Sequence, residues 1–252
     1  MRQLMIRTGE MLRDRRFLKK ALMIACPVAL QGMLNTVVNM VDTLMIGGLG
    51  SSAIAAVGLA NKYFFVFSLL VFGIVSGAGI LAAQYWGNGD VKSIRKVLGL
   101  SILLAAAGAL VFVLPGLIWP HQVMRIFTTS ESSIELGIKY LRIAVLTYPF
   151  IAMTNVYVAM LRAVNKVVYP VVCSCIAIAI NVVLNYVLIF GKFGAPTMGV
   201  AGAACATLVA RCIELTLILG YVYGKRLSLA CGPKGMFGWS KVFIFRFIET
   251  SA

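Results

Sequence analysis

The sequence predicts an all-α polytopic membrane protein, a bundle of six transmembrane helices, and three observations predict it. Of the 252 residues, 61% are hydrophobic and only 12% are charged, whereas soluble domains are roughly a quarter charged. Six continuous apolar runs recur along the chain, each long enough as a helix to cross a hydrocarbon core of about 30 Å. The runs lack period-two alternation and are far longer than barrel strands, which selects helices over a β-barrel.

The first run, 21–46, contains one charged residue, Asp42, and carries Pro27 near its start. Proline there removes a backbone hydrogen bond and crowds the carbonyl of Met23, so Pro27 reads as a hinge or equally as a static kink. The second run, 53–83, holds Gly73, Gly77, Ala78 and Gly79, small surfaces for close helix approach. The third, 97–118, is apolar and ends at Trp119, Pro120 and His121. The fourth, 138–161, carries Tyr140, Tyr148, Asn155 and Tyr157, which could contact substrate or serve as anchors and packing. The fifth, 167–190, carries Asn181 and Asn185. The sixth, 200–223, carries Thr207 and the neighbours Arg211 and Glu214, three apart and able to pair along one face. A structural pair is favoured there over a substrate site.

Charge sets the expected orientation. The basic residues concentrate ahead of the first run (Arg2, Arg7, Arg13, Arg15, Arg16, Lys19, Lys20), in alternate connections (Lys92, Arg95, Lys96, Arg162, Lys166) and after the sixth run. Lys and Arg excess marks the cytoplasmic face, which places both termini inside and the protein in the plasma (inner) membrane. The basic N-terminus lacks a short apolar region with a small-residue cleavage site, so the first span is expected to be retained. The organisation is then a basic cytoplasmic segment at 1–20, a six-helix lobe at 21–223, and a cytoplasmic linker with the start of a seventh helix at 224–252. The net charge of +15 follows this topology and gives no reason to expect nucleic acid.

Depth brings distant residues together. At about 1.5 Å per helical residue, Asp42, Asn181, Asn185 and Thr207 all fall in the outer half of the membrane. Asn181 and Asn185 share a helix face. On the first span Gln31, Asn35, Asn39 and Asp42 occupy a stripe about 80° wide, the expected wall of an aqueous cavity. Asn and Gln also glue helices together, and for Gln31 or Asn39 alone that reading is at least as good. An ionisable group in hydrocarbon is costly, about 2.5–3.5 kcal/mol on insertion scales, so Asp42 reads as functional.

The chemistry on offer is narrow. A carboxylate, amide carbonyls and a hydroxyl are hard oxygen donors, suited to a hard cation or a proton. Cys26, Cys173, Cys175, Cys205, Cys212 and Cys231 show no metal-ligand spacing and read as small packing residues. The lone His121 has no nucleophile to serve, and no phosphate-cradling Gly-Lys-Ser/Thr loop is present, so neither hydrolysis nor ATP-driven work is expected of this chain.

These residues also carry a family resemblance. Pro27-Val-Ala-Leu-Gln31, Val41-Asp-Thr-Leu-Met-Ile-Gly-Gly-Leu-Gly50 and Ala55-Ala-Val-Gly-Leu-Ala60 resemble the first helix and loop of the multidrug and toxic compound extrusion (MATE) transporters. So do Ala83-Gln-Tyr-Trp-Gly87 with Arg95-Lys96, Leu161-Arg162, Asn181-Val-Val-Leu-Asn185 and Gly199-Val-Ala-Gly-Ala-Ala-Cys-Ala-Thr207. The resemblance spans residues 15–225 and implies one six-helix lobe of a twelve-helix antiporter that exports cationic or amphipathic compounds. It implies no cofactor beyond a coupling sodium ion or proton, held by Asp42, Asn181, Asn185 and Thr207. It also matches Pro27 to a proline at which the first helix bends. Asn185 stands where some relatives have aspartate, which weakens a two-carboxylate proton mechanism. Since relatives have twelve spans, the tail at 239–252 reads as a seventh helix cut short, and a second lobe or another copy is an expected partner. The rival expectations are a lipid-linked saccharide flippase, which would need a basic cavity, and a non-transporting lobe or assembly partner.

Overall fold

The computed structural model describes residues 15–251, with side chains throughout that range except at 15–24, 27, 28, 35, 38, 233, 234 and 251. The expectations for the side chains of Pro27 and Asn35 therefore lie outside the described residues. The chain forms α1 (Arg15–Gly47), α2 (Ser51–Gly87), α3 (Val91–Ile118), α4 (Pro120–Arg125), α5 (Glu131–Ala144) and α6 (Tyr148–Ala163). It continues through α7 (Val168–Phe190), α8 (Val200–Gly224), α9 (Pro233–Met236) and α10 (Lys241–Ser251). Among the described residues there is no strand.

Among the described residues, five stretches are long and apolar enough to cross a membrane: α2, α3, α5 with α6, α7 and α8. Helix α1, 33 residues long, supplies the sixth length. The fourth span differs from a single smooth helix. Val145–Thr147 forms a short 3-10 turn between α5 and α6, directly ahead of Pro149 at the start of α6. Proline lacks the N–H that would continue the ladder and crowds the preceding turn, so the helix tightens there.

The bundle has two parts. Helices α2, α3, α5 and α6 share the main core around Phe67, Leu98, Leu141 and Leu161. Tyr148 stacks on Phe67 with ring centroids 4.5 Å apart. Helices α7 and α8 form the most extensive helix pair, and α1 lies chiefly against α7. A smaller cluster of Ile46, Ala53, Val57, Ile189, Val200 and Ala203 joins the two parts at the end that holds Gly47 and Gly191. The tail folds back: α10 packs on α2, Phe247 is buried, and Trp239 Nε1 donates to the carbonyl of Lys96 at 3.0 Å.

Two positions show how sequence sets these contacts. At Gly202 on α8 a Cβ would stand 2.7 Å from the backbone of Leu188 on α7, so only glycine admits this approach. Asp90 caps α3, accepting from Ser93 N at 3.0 Å and Ser93 Oγ at 2.6 Å. Those bonds hold its carboxyl below the ordinary range.

Gly202→Ala should therefore lower the unfolding midpoint, at a cost of about 1–3 kcal/mol for overpacking against backbone. Gly220→Ala on the same helix meets nothing within 4 Å and should leave the midpoint unchanged or raised; thermal unfolding in detergent compares the two. Asp90 has a depressed folded pKa, so its stabilising increment is present above the ordinary carboxylate range and lost as pH falls through the lowered value. The midpoint difference between wild type and Asp90→Ala should shrink correspondingly in acid.

Candidate functional site

Between the two parts of the bundle lies a cavity of about 380 Å³. Asn39, Asp42 and Thr43 line it from α1, and Asn61 and Phe64 from α2. Tyr140 and Tyr148 contribute from α5 and α6, Asn181 from α7, and Thr207 and Arg211 from α8. Aromatic and apolar side chains share the lining with a few polar groups, the mixture by which ligand sites combine apolar area with fixed polar contacts.

The four residues that depth placed together are in direct contact. Asn185 Nδ2 donates to Asp42 Oδ1 at 2.6 Å and to Asn181 Oδ1 at 3.2 Å. Asn181 Nδ2 donates to Thr207 Oγ1 at 3.3 Å, and Thr207 donates to the carbonyl of Ala203 at 3.0 Å. Asn181 and Asn185 are buried, while Asp42 is half-buried at the cavity wall. Asn185 Oδ1 is buried without a donor. The cluster thus offers one charged and several neutral oxygens, and one amide oxygen has coordination capacity to spare. That donor set fits a small hard cation or a proton on Asp42.

A second polar chain runs deeper. Arg162 Nη2 donates to Gln31 Oε1 at 3.0 Å, and Gln31 Nε2 donates to Ser174 Oγ at 2.7 Å. Ser174 donates to Glu214 Oε1 at 2.6 Å, and Arg211 Nη1 to Glu214 Oε2 at 2.7 Å. The Arg211–Glu214 pair is as the spacing suggests. Gln31 is not a cavity residue: α1 runs parallel to α7, and Gln31 faces Ser174 in the buried interface about three turns from Asp42. Asn155 does not join this cavity. It is exposed and lies outside the cavity lining, because the buried face of α6 is formed by its neighbours Ala152, Thr154 and Val156. Asn39 does line the cavity.

Sequence reasoning missed Ser174 and Arg162. Ser174 precedes Asn181 by seven residues and Asn185 by eleven, the spacing of one helix face, so the signal was present. Arg162 sits at the end of its helix, where a basic residue reads as an interfacial charge. Ser174→Ala should cost about 1–3 kcal/mol, since it strips one partner from a buried carboxylate and one from Gln31. The unfolding midpoint should fall accordingly, and Ser174→Cys should fall less.

Comparison with known proteins agrees with this architecture. Residues 27–187 match the model of the MatE family. The chain is 32% identical over 210 residues to the probable multidrug resistance protein NorM of Thermotoga maritima, covering 82% of this chain and 45% of that protein. It is 25% identical to the multidrug resistance protein NorM of Vibrio cholerae, covering 81% and 45%. The fold matches a multidrug resistance MATE family transporter of the MOP superfamily in an outward-facing conformation. That match has a TM-score of 0.83 and 22% identity, covering 92% of this chain and 52% of that one. The chain spans about half the length of the curated relatives it matches. With its helical lobe, its membrane-spanning lengths and this family match, the chain belongs to the MatE family of integral membrane transporters.

Proposed function

We propose that this chain forms the cation-binding lobe of an antiporter that exports cationic or amphipathic drugs and toxic compounds in exchange for sodium ions or protons. The observation that carries the reading is Asp42, a single carboxylate on a cavity wall, hydrogen-bonded to Asn185 and through it to Asn181 and Thr207. The distribution of basic residues supports a plasma-membrane location with both termini cytoplasmic. Lipid surrounds the lobe, and a second lobe or second copy completes the transporter, a view supported by relatives about twice as long.

The mechanism follows from competition for one charge. With Asp42 ionised, Asn185 Nδ2 donates to it and ties α1 to α7. A proton or sodium ion on Asp42 neutralises the carboxylate and weakens that donation, while the unpartnered Asn185 Oδ1 becomes a ligand or acceptor. A cationic substrate needs the same negative charge, so cation and substrate exclude one another. Helix α1 is the responsive element: of its described side chains only Gln31 and Ile46 are buried, and Met33, Met40 and Leu44 are largely exposed. Export is driven when the cation and the substrate favour different positions of such a helix and of the lobes.

Proteoliposomes holding this chain, and a chain that adds a second lobe, test the reading with ethidium and an imposed sodium or proton gradient. Gradient-driven ethidium flux is expected from the two-lobe protein, falling to the leak rate in Asp42→Asn while insertion is unchanged. Undiminished coupled flux in Asp42→Asn would contradict the assignment.

A further inference from the structure

At the basic end of the bundle, the segment after α8 is fastened to the start of α3. Arg95 Nε donates to the carbonyl of Ser228 at 2.9 Å, and Trp239 Nε1 to the carbonyl of Lys96 at 3.0 Å. Between these points the backbone of Met236 lies against Gly99, with no room for a Cβ. Gly238, at φ +97°, brings the chain alongside the Lys96 side chain. The contacts gather charge. Lys92, Arg95 and Lys96 are three and four apart and share one face of α3. Lys92 is exposed, Arg95 and Lys96 are half-buried, and exposed Lys241 follows Trp239 by two residues. The segment 225–246 holds Lys225, Arg226, Lys234, Lys241 and Arg246 and no acidic residue. Asp90, the one acidic residue between Asp42 and Glu131, is engaged by Ser93. Among the described residues, none of Lys92, Arg95, Lys96 and Lys241 is in an ion pair.

We infer that this corner binds the phosphate headgroup of an anionic phospholipid of the phosphatidylglycerol class. Depth supports a lipid. The apolar run of α3 begins at 97, so Lys96, Arg95 and Lys92 lie within about 8 Å beyond it, at headgroup level. Trp239, bonded at Lys96, sits at the same level. Its ring lies 5.3 Å from that of Phe237, which is 56% exposed, an aromatic pair of the kind that anchors at a membrane interface. With Nε held by Ser228, Arg95 keeps its two Nη groups for the phosphate oxygens, and Lys92 and Lys96 close on the same anion. Charge complementarity selects the headgroup: a zwitterionic lipid brings its own cation among four others, whereas an anionic lipid relieves their repulsion. The bound lipid then ties the segment after α8 to α3, because cations from both contact it.

The test uses the purified 252-residue chain carrying W86F/W119F, so that Trp239 is the remaining indole, in phosphatidylcholine–phosphatidylglycerol nanodiscs. Quenching of Trp239 is compared when either the phosphatidylglycerol or an equal amount of the phosphatidylcholine is brominated high on its acyl chains. Brominated phosphatidylglycerol is expected to be enriched beside Trp239 about fivefold, the scale of attraction per basic residue at a membrane surface. K92Q/K96Q should bring the two lipids to equality, and the charge-preserving K92R/K96R should keep the enrichment. K166Q/K225Q, which removes as much charge elsewhere, should keep it too. Inorganic phosphate at constant ionic strength should not displace the lipid. Equal quenching in the parent protein, or enrichment that survives K92Q/K96Q, overturns the site. So does an equal loss in K166Q/K225Q, which would mean diffuse attraction to a basic face. Displacement by inorganic phosphate overturns the assignment to a lipid.

Discussion

A carboxylate on an apolar helix cannot stand in a membrane-embedded bundle without a partner, and the contact between Asp42 and Asn185 meets that requirement at 2.6 Å. Much else depends on it. Helix α1 buries little of its apolar surface within the lobe, and its main neighbour is α7. Two polar clasps, Asp42 with Asn185 and Gln31 with Ser174, hold the helices parallel and in register. Between apolar side chains and lipid there is no hydrophobic preference to fix such a register, so the hydrogen bonds set it.

The clasps differ in what they can do. The one at Asp42 opens on the cavity and contains an ionisable carboxylate. The one at Gln31 is buried and passes through Ser174 and Glu214 to Arg211, which returns to the same cavity. The cavity therefore touches both ends of the α1–α7 contact. A ligand there has a physical route to both, by competing at Asp42 and by acting on the guanidinium that neutralises Glu214.

Depth along a helix was legible in the sequence, because rise per residue is nearly constant. That is why Asp42, Asn181, Asn185 and Thr207 could be brought together from three distant segments. Rotation against neighbours was not, because it is set by which surfaces pack. Gln31 shares a stripe with Asp42, yet α7 covers it at the level of Ser174, while Asn39 remains on the cavity. Asn155 lay in a span rich in aromatic residues but turned out on the exposed side of α6. The break at Val145–Thr147 has a local signal in Pro149 that the continuous apolar run masks, and the reading of 239–252 as the start of a seventh helix rests on the family resemblance rather than on spacing. That α10 folds back onto α2 depends on tertiary contacts that no local pattern encodes.

The central claim is that cation occupancy at Asp42 is transmitted to both α1 and α7 through Asn185. Hydrogen–deuterium exchange of the purified chain tests it most directly, comparing residues 39–47 and 181–190 with and without sodium and across a pH series, in wild type and Asp42→Asn. The account predicts that protection in the two segments changes together with sodium or pH, and that the change disappears in Asp42→Asn. Protection that ignores both ions, or that responds equally well without the carboxylate, would contradict it.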